Sequence, residues 1–276
     1  MEESQASGAP LKIPVRVGTM GWGYADWAGV FYPEDAAPRD YIRFYADILD
    51  TVEIDSTFYA IPRENQVKHW SKVTPDHFVF CPKVPRIVTH ELRLVDTTPE
   101  LTTFVRVMGL LGSKRGPMLL QMPPDFTRHE LPTLQAFLPT LKELNDPTAR
   151  FAIEFRHRSM AGEDIAALLA EHNVALVAAD YPPMPKRLER TADFAYVRLI
   201  GRHGAFKEHQ NLQADRMEDL QRWAEALRAQ QDRFTAAYVF CNNDYEGYGP
   251  ETANRFKKLC GLPTKSASPA AQPTLF

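Results

Sequence analysis

Apolar positions in this chain fall into short continuous runs, and most runs close on a residue that resists burial. They read Val15-Arg16-Val17-Gly18, Thr51-Val52-Glu53-Ile54-Asp55, Phe78-Val79-Phe80-Cys81-Pro82-Lys83, Met118-Leu119-Leu120-Gln121, Phe151-Ala152-Ile153-Glu154-Phe155-Arg156, Ala175-Leu176-Val177-Ala178-Ala179-Asp180, Tyr196-Val197-Arg198-Leu199 and Tyr238-Val239-Phe240-Cys241-Asn242-Asn243. Strands packed on both faces are apolar throughout, so charges gathered at their C-terminal ends predict one shared polar site.

Between these runs the period changes to that of helices. Tyr41, Phe44, Tyr45 and Ile48 recur at helical spacing, as do Leu101, Phe104, Val105 and Met108, then Leu134, Phe137, Leu138 and Leu141. Ile165, Leu168 and Leu169 continue the series, followed by Leu220, Trp223 and Leu227, while Pro38, Pro99 and Pro250 stand where helices begin. After Asp180 the chain runs Tyr181-Pro182-Pro183-Met184-Pro185, which no regular helix accommodates. Strand and helix alternating about eight times predict a single α/β domain, a TIM-like (β/α)8 barrel irregular around its sixth crossover. The barrel is expected over residues 13–261, preceded by a disordered segment 1–12 and followed by a flexible tail 262–276. The rival is an open doubly wound sheet, but Gly18-Thr19-Met20-Gly21-Trp22-Gly23 lacks dinucleotide-binding spacing, and no nucleotide cofactor is expected.

Composition narrows the picture. With 276 residues, 44% hydrophobic and 24% charged, the chain is of globular type and has no membrane-spanning run. Its first ten residues, MEESQASGAP, lack the regions of a secretory signal, so the expected location is cytoplasmic, with no membrane partner. Cys81, Cys241 and Cys260 form no CxxC pair and are expected to be structural. The net charge of −3 excludes a generally basic nucleic-acid binder. It averages over an uneven distribution, because Arg156, Arg158, Lys186, Arg187, Arg190, Arg198, Arg202 and Lys207 crowd one stretch with His157 and His203. Several of these lie just past predicted strand ends, where they would attract an anion; otherwise they are solvated loop charges.

Period two puts Glu53 and Asp55 on one strand face and Glu154 and Arg156 on one face of another, with Val52, Ile54, Ile153 and Phe155 opposite. Lys83, Gln121, Asp180, Arg198 and Asn242 each add a polar group from a neighbouring strand, with Asn243 beside the last. An inward Glu beside an inward Arg also serves as a plain ion pair closing a barrel end. A whole ring of such charges is costly to desolvate without water or a ligand. Lys83, Arg156 and Arg198 suit an oxyanion such as phosphate, since a guanidinium grips it at two points; Lys83 has a second reading as a Schiff-base nucleophile. Glu154 or Asp180 would activate water, with Glu53 and Asp55 as further acid–base candidates. The same carboxylates with His90 are the ligands open to a divalent ion, although no HxH or HExxH spacing supports one. Trp22, Tyr24 and Tyr59 are candidate stacking platforms for a sugar or base, whereas packing is the preferred role of Trp27 and Phe58.

These segments resemble the YecE-like family, also called domain of unknown function 72. The resemblance runs from about residue 15 to residue 255. It rests on Gly18-Thr19 with Gly21-Trp22 and Tyr24, Trp27, Phe31-Tyr32-Pro33, Val52-Glu53-Ile54 with Ser56-Thr57-Phe58-Tyr59, Thr89-His90, Gln121 with Pro123-Pro124, Glu154-Phe155-Arg156-His157, Tyr196-Val197-Arg198 and Asn242-Asn243. It implies a TIM-barrel-like fold and no established reaction. Asp55, Met160 and Ile200 depart from the family pattern, which usually has Asn, Trp and His at these places.

The expected function is hydrolysis of a phosphate-bearing substrate, either a nucleotide or small anionic molecule or a nucleic acid. Carbohydrate cleavage by Glu53 and Glu154, or a non-catalytic barrel that binds a ligand or partner, are the alternatives. The terminal Gln272-Pro273-Thr274-Leu275-Phe276 resembles the short peptide by which bacterial replication and repair proteins dock on the sliding clamp. Gln272, Leu275 and Phe276 would make that contact, and it would bring the substrate reading closer to DNA.

Overall fold

In a computed structural model, residues 10–144 and 146–267 are described; the QPTLF motif lies outside them. The nine strands among these residues are β1 (Val15–Met20), β2 (Thr51–Ile54), β3 (Val79–Pro82), β4 (Met118–Gln121), β5 (Phe151–Glu154), β6 (Ala175–Leu176), β7 (Ala178–Asp180), β8 (Phe194–Leu199) and β9 (Ala236–Cys241). Each falls on one of the apolar runs. Between them come α1 (Tyr41–Ile48), α2 (Glu64–Val73), α3 (Thr98–Met108), α4 (Leu131–Thr140), α5 (Glu163–Glu171) and α6 (Met217–Gln230), with α7 (Asn243–Glu246) and α8 (Gly249–Leu259) after β9. The connection from β7 to β8 carries no helix among the described residues, as the proline-rich segment after Asp180 predicts.

All strand pairs are parallel and form two sheets, ordered β3-β2-β1-β9-β8-β7 and β4-β5-β6. One continuous ladder was the expectation; the ladder is interrupted at two places. Between β3 and β4 only the bridges Phe80↔Arg115 and Lys83↔Leu119 form. Pro82 and Pro117 flank those bridges and have no N–H to donate, which limits regular pairing there. Between β6 and β7 the interruption is Val177 alone, whose N–H still donates to the Ile153 carbonyl at 2.9 Å.

Strand alternation sorts the core into two layers. Val17, Val52, Ile54, Ile153, Val197, Leu199 and Val239 pack against helix residues such as Tyr45, Phe104, Leu138, Leu169 and Trp223. A smaller cluster draws Met20, Val79, Cys81, Leu119, Ala152, Ala175, Val177, Ala179, Tyr196 and Phe240 from both sheets, so the two sheets share one interior. Close strand packing needs a glycine at position 18, where a Cβ would sit 1.8 Å from the Thr51 carbonyl oxygen. Cys81, Cys241 and Cys260 are free and buried.

The ends of the described chain are held more firmly than the sequence predicts. Leu11 is buried and its N–H donates to the Cys260 carbonyl. Lys265 donates to the Asp47 carbonyl at 2.8 Å, and Ala267 packs against the outer core.

Candidate functional site

Inward positions at the C-terminal ends of β2, β5 and β8 carry Glu53, Glu154 and Arg198, all buried. Arg198 joins the two carboxylates and the two sheets. Its Nη2 donates to Glu53 Oε1 at 2.7 Å and its Nη1 to Glu154 Oε2 at 2.5 Å. The Tyr196 hydroxyl donates to Glu53 Oε2 at 2.8 Å, and Arg156 Nε donates to Glu154 Oε1. Every oxygen of both carboxylates is therefore engaged. Gln121 Oε1, at the end of β4, accepts from Arg156 Nη2 at 3.2 Å and from Arg198 Nη1 at 3.3 Å.

The two carboxylates differ electrostatically although they share Arg198. Burial raises the Glu53 carboxyl above its usual range; Arg198 opposes the rise, but the nearby Asp55 charge adds to it. Burial acts on Glu154 in the same sense, yet Arg198 and Arg156 outweigh it and bring that carboxyl down to about 2. Two guanidiniums against one account for the opposite directions.

Beside this cluster stand Lys83 and Asp55. Asp55 begins a 3-10 turn, Asp55–Phe58, rather than ending β2, and its Oδ1 lies 3.7 Å from Lys83 Nζ. The Lys83 ammonium sits 4.2 Å above the Phe58 ring, which also meets the His90 ring edge-on at 4.9 Å. Burial pulls the Lys83 ammonium below the usual lysine range, with Asp55 opposing and Arg198 assisting. Burial likewise lowers His90, and Lys83 adds to that effect. Thr89 Oγ1 holds the His90 Nδ1 at 2.8 Å within a π-helical turn, Ile87–Glu91. A cleft of 310 Å³ opens at this end of the strands, lined by Trp22, Tyr24, Asp55, Ser56 and Trp70 among others.

The remaining expected residues divide. The Asn242 amide reaches Met20 Sδ at 3.5 Å while its oxygen caps α7 by accepting from Asp244 N–H. The Tyr24 hydroxyl donates to the Met20 carbonyl at 2.5 Å, and burial raises its pKa with Asp55 and Glu53 adding to the effect. Asp180 departs from the expectation that it joins Glu154. Its Oδ2 accepts from Trp223 Nε1 at 3.0 Å and Tyr245 OH at 2.9 Å, and Oδ1 lies 2.7 Å from Lys186 Nζ, so it ties the helical layer to β7. Asn243 also serves packing, its side-chain oxygen accepting from Gly249 N–H at 2.9 Å. Tyr59 is 74% exposed and touches Phe58 alone among the described ring contacts. Trp27 is fully buried, whereas Phe58 is half-buried and walls the Lys83 side of the site.

Three contributors escaped the sequence reading: Tyr196, Met20, whose Sδ lies 3.3 Å from Arg198 Nη2, and Tyr181, whose ring lies 4.3 Å from the Arg156 guanidinium carbon. Tyr181 follows inward-facing Ala179 at period two, but only the folded structure shows which alanine faces inward. The basic stretch is partly neutralised within the chain. Lys186 pairs with Asp180 and Asp219, Arg187 with Glu189, and Arg158 and Arg190 donate to the Pro183 and Arg233 carbonyls. Among the described residues no group of three or more His, Cys, Asp or Glu side chains is placed to hold a metal ion. No described helix is long and apolar enough to cross a membrane.

The class these features define is a parallel α/β protein with a buried Glu–Arg–Glu cluster at its strand ends. Residues 16–275 match the family model described as "Protein of unknown function DUF72", and the chain belongs to that family. The Escherichia coli K12 protein YecE is 31% identical over 146 residues, covering 52% of this chain and 48% of that protein, so the match spans about half the length of that relative. Bacillus subtilis YunF is 24% identical over 283 residues, 92% of this chain and 98% of that protein. Among solved structures, a DUF72 family protein from Thermotoga maritima is 30% identical with a TM-score of 0.74, covering 89% of this chain and 98% of that one. One from Enterococcus faecalis is 21% identical, also with a TM-score of 0.74, covering 93% and 98%.

Proposed function

We propose that the strand-end cluster is the active site of an enzyme for a small anionic substrate, housed at the mouth of a (β/α)8 barrel whose two arcs are the two sheets. The shared interior cluster, the Lys83↔Leu119 bridge and the single-residue break at Val177 support the barrel reading. The observation that carries the functional reading is the arrangement of cations. Two fully engaged carboxylates fix Arg198 and the Nε edge of Arg156, while Arg156 Nη1 and Lys83 Nζ have no hydrogen-bond partner among the described residues. Buried ion clusters of this kind stabilise folds poorly compared with apolar packing, which favours a role for this one in positioning the open donors. Phosphate or carboxylate matches such donors.

The geometry separates the expected chemistries. Glycoside cleavage needs at least one carboxyl group that gives and takes a proton, a role that the two guanidiniums on Glu154 and its depressed pKa disfavour for that residue. Phosphoester hydrolysis retains its anion grip, but Asp180 is turned to the helical layer and Glu154 is engaged; Asp55 is the carboxylate left beside the open donors. A small molecule is favoured because the open donors at the cluster are two, Arg156 Nη1 and Lys83 Nζ, enough to grip one oxyanion. Calorimetry with inorganic phosphate tests the reading. Arg156→Met should weaken binding by about 1.5–3 kcal/mol, the range for hydrogen bonds to charged groups. Equal affinity in parent and variant, or no phosphate binding by the parent, overturns it.

A further inference from the structure

We infer that Lys83 is an amine nucleophile, and that the anionic substrate carries an aldehyde or ketone which Lys83 captures as an imine. The inference rests on the anionic-substrate reading above and adds the reacting group. Lys83 follows β3 directly and is only 8% exposed, so its side chain is held in place. Its Nζ nevertheless makes no hydrogen bond within the described residues. The nearest carboxylate oxygen, Asp55 Oδ1, is 3.7 Å away, and below lies the Phe58 ring. A lysine retained for structure satisfies its ammonium, as Lys114 does with the Ser71 and Thr74 carbonyls at 2.6 and 2.7 Å. Lys257 does so with Asp50 at 2.9 Å. Lys83 instead combines deep burial, a cationic neighbour in Arg198 and one loosely held carboxylate, surroundings that free an amine lone pair, while the Phe58 ring itself favours the ammonium.

The step balances without an outside reagent. Asp55 takes one proton from the Lys83 ammonium, and the freed lone pair forms a C–N bond as the carbonyl π electrons move to oxygen. Proton transfer from nitrogen to that oxygen gives a neutral carbinolamine. Asp55 then returns its proton to the hydroxyl, the C–O bond breaks, water leaves, and a protonated imine remains on Nζ. The chain thus converts an ammonium and a carbonyl into an iminium and one water. Arg156, bound to the Glu154 oxygen that Arg198 leaves free, would hold the anionic end of the same molecule.

Pyridoxal 5′-phosphate is a suitable probe because it joins an aldehyde to a phosphate. The full-length protein would be treated with it, reduced with sodium borohydride, digested and mapped by mass spectrometry. Glyceraldehyde would run as an uncharged aldehyde, and inorganic phosphate as competitor. Lys83 should label several-fold faster than exposed Lys68 at neutral pH, because burial leaves more of its amine unprotonated. Phosphate should slow labelling by pyridoxal 5′-phosphate, Asp55→Asn should slow it with either aldehyde, and Lys83→Arg should abolish that peptide's label. Labelling of Lys83 no faster than Lys68 with both aldehydes, in a protein that binds phosphate, overturns the amine role and leaves the anion site standing. Selective labelling by both aldehydes without phosphate binding or protection supports the amine and overturns the anion site.

Discussion

Two buried acidic groups at strand ends, Glu154 and Asp180, look alike in the sequence and are put to opposite uses. Glu154 faces the shared interior and is held by cations, Arg156 and Arg198. Asp180 faces the helices, where the neutral donors Trp223 and Tyr245 hold one oxygen and Lys186 approaches the other. The first arrangement concentrates charge in the interior, where the proposed site lies. The second fastens one layer of the fold to another. Which face of the strand a charge occupies therefore decides its role, more than its position at the strand end.

The comparison breaks most sharply at Arg198. Replacing it by Met leaves Glu53 and Glu154 buried without their shared partner and should cost about 3–5 kcal/mol in urea unfolding. Adding Glu53→Gln and Glu154→Gln to that variant should recover part of the loss. A cost below about 1 kcal/mol, the range of exposed pairs, would show that the cluster is solvated rather than buried.

Next comes pH. The Glu154 carboxyl is depressed from 4.5 to about 2, so its contribution to stability is complete above about 4.5 and is lost as pH falls toward about 2. Glu53 is raised, so its contribution has the opposite sign: unfolding becomes easier as pH climbs from 4.5 through its folded pKa. In acid titrations followed by circular dichroism, Glu154→Gln should flatten the loss between about pH 4.5 and 2, and Glu53→Gln should remove the opposing slope above it. Unchanged slopes in both variants would contradict the assignment.

The smallest effect belongs to the other face. Asp180→Ala leaves the Trp223 N–H and Tyr245 hydroxyl without their acceptor, and about 1–3 kcal/mol of stability should go with it. Phosphate affinity should stay at the parent value. A fall in affinity comparable to that of Arg156→Met would place Asp180 in the site after all.

Much of this site is legible in the chain. Glu53 alternates with Val52 and Ile54, and Glu154 with Ile153 and Phe155, so bulky apolar residues mark the helix-facing side and the charges take the other. Asp180 follows Ala178 and Ala179, and two small apolar residues give no signal to tell the faces apart. Its partners Trp223 and Tyr245 lie 43 and 65 positions away, and only folding brings them to it. Asp55 lies off the strand face expected for it: the strand stops one residue earlier, at Ile54, and a tight turn carries its carboxylate toward Lys83. The ladder gap between β3 and β4 follows from Pro82 and Pro117, whose missing donors are visible in the sequence but whose pairing partners are not.

The cluster's three cations, Lys83, Arg156 and Arg198, stand against three acids, Glu53, Asp55 and Glu154, in one small volume. Seen from beyond about 10 Å, roughly a Debye length in dilute salt, opposite charges so closely interleaved nearly cancel. The cluster therefore casts little field into solvent, and the proposed anion would meet it at an ordinary encounter rate that ionic strength scarcely changes. On that reading discrimination would begin on contact, when the ligand displaces water from two open donors, one of them on a guanidinium that Glu154 already holds.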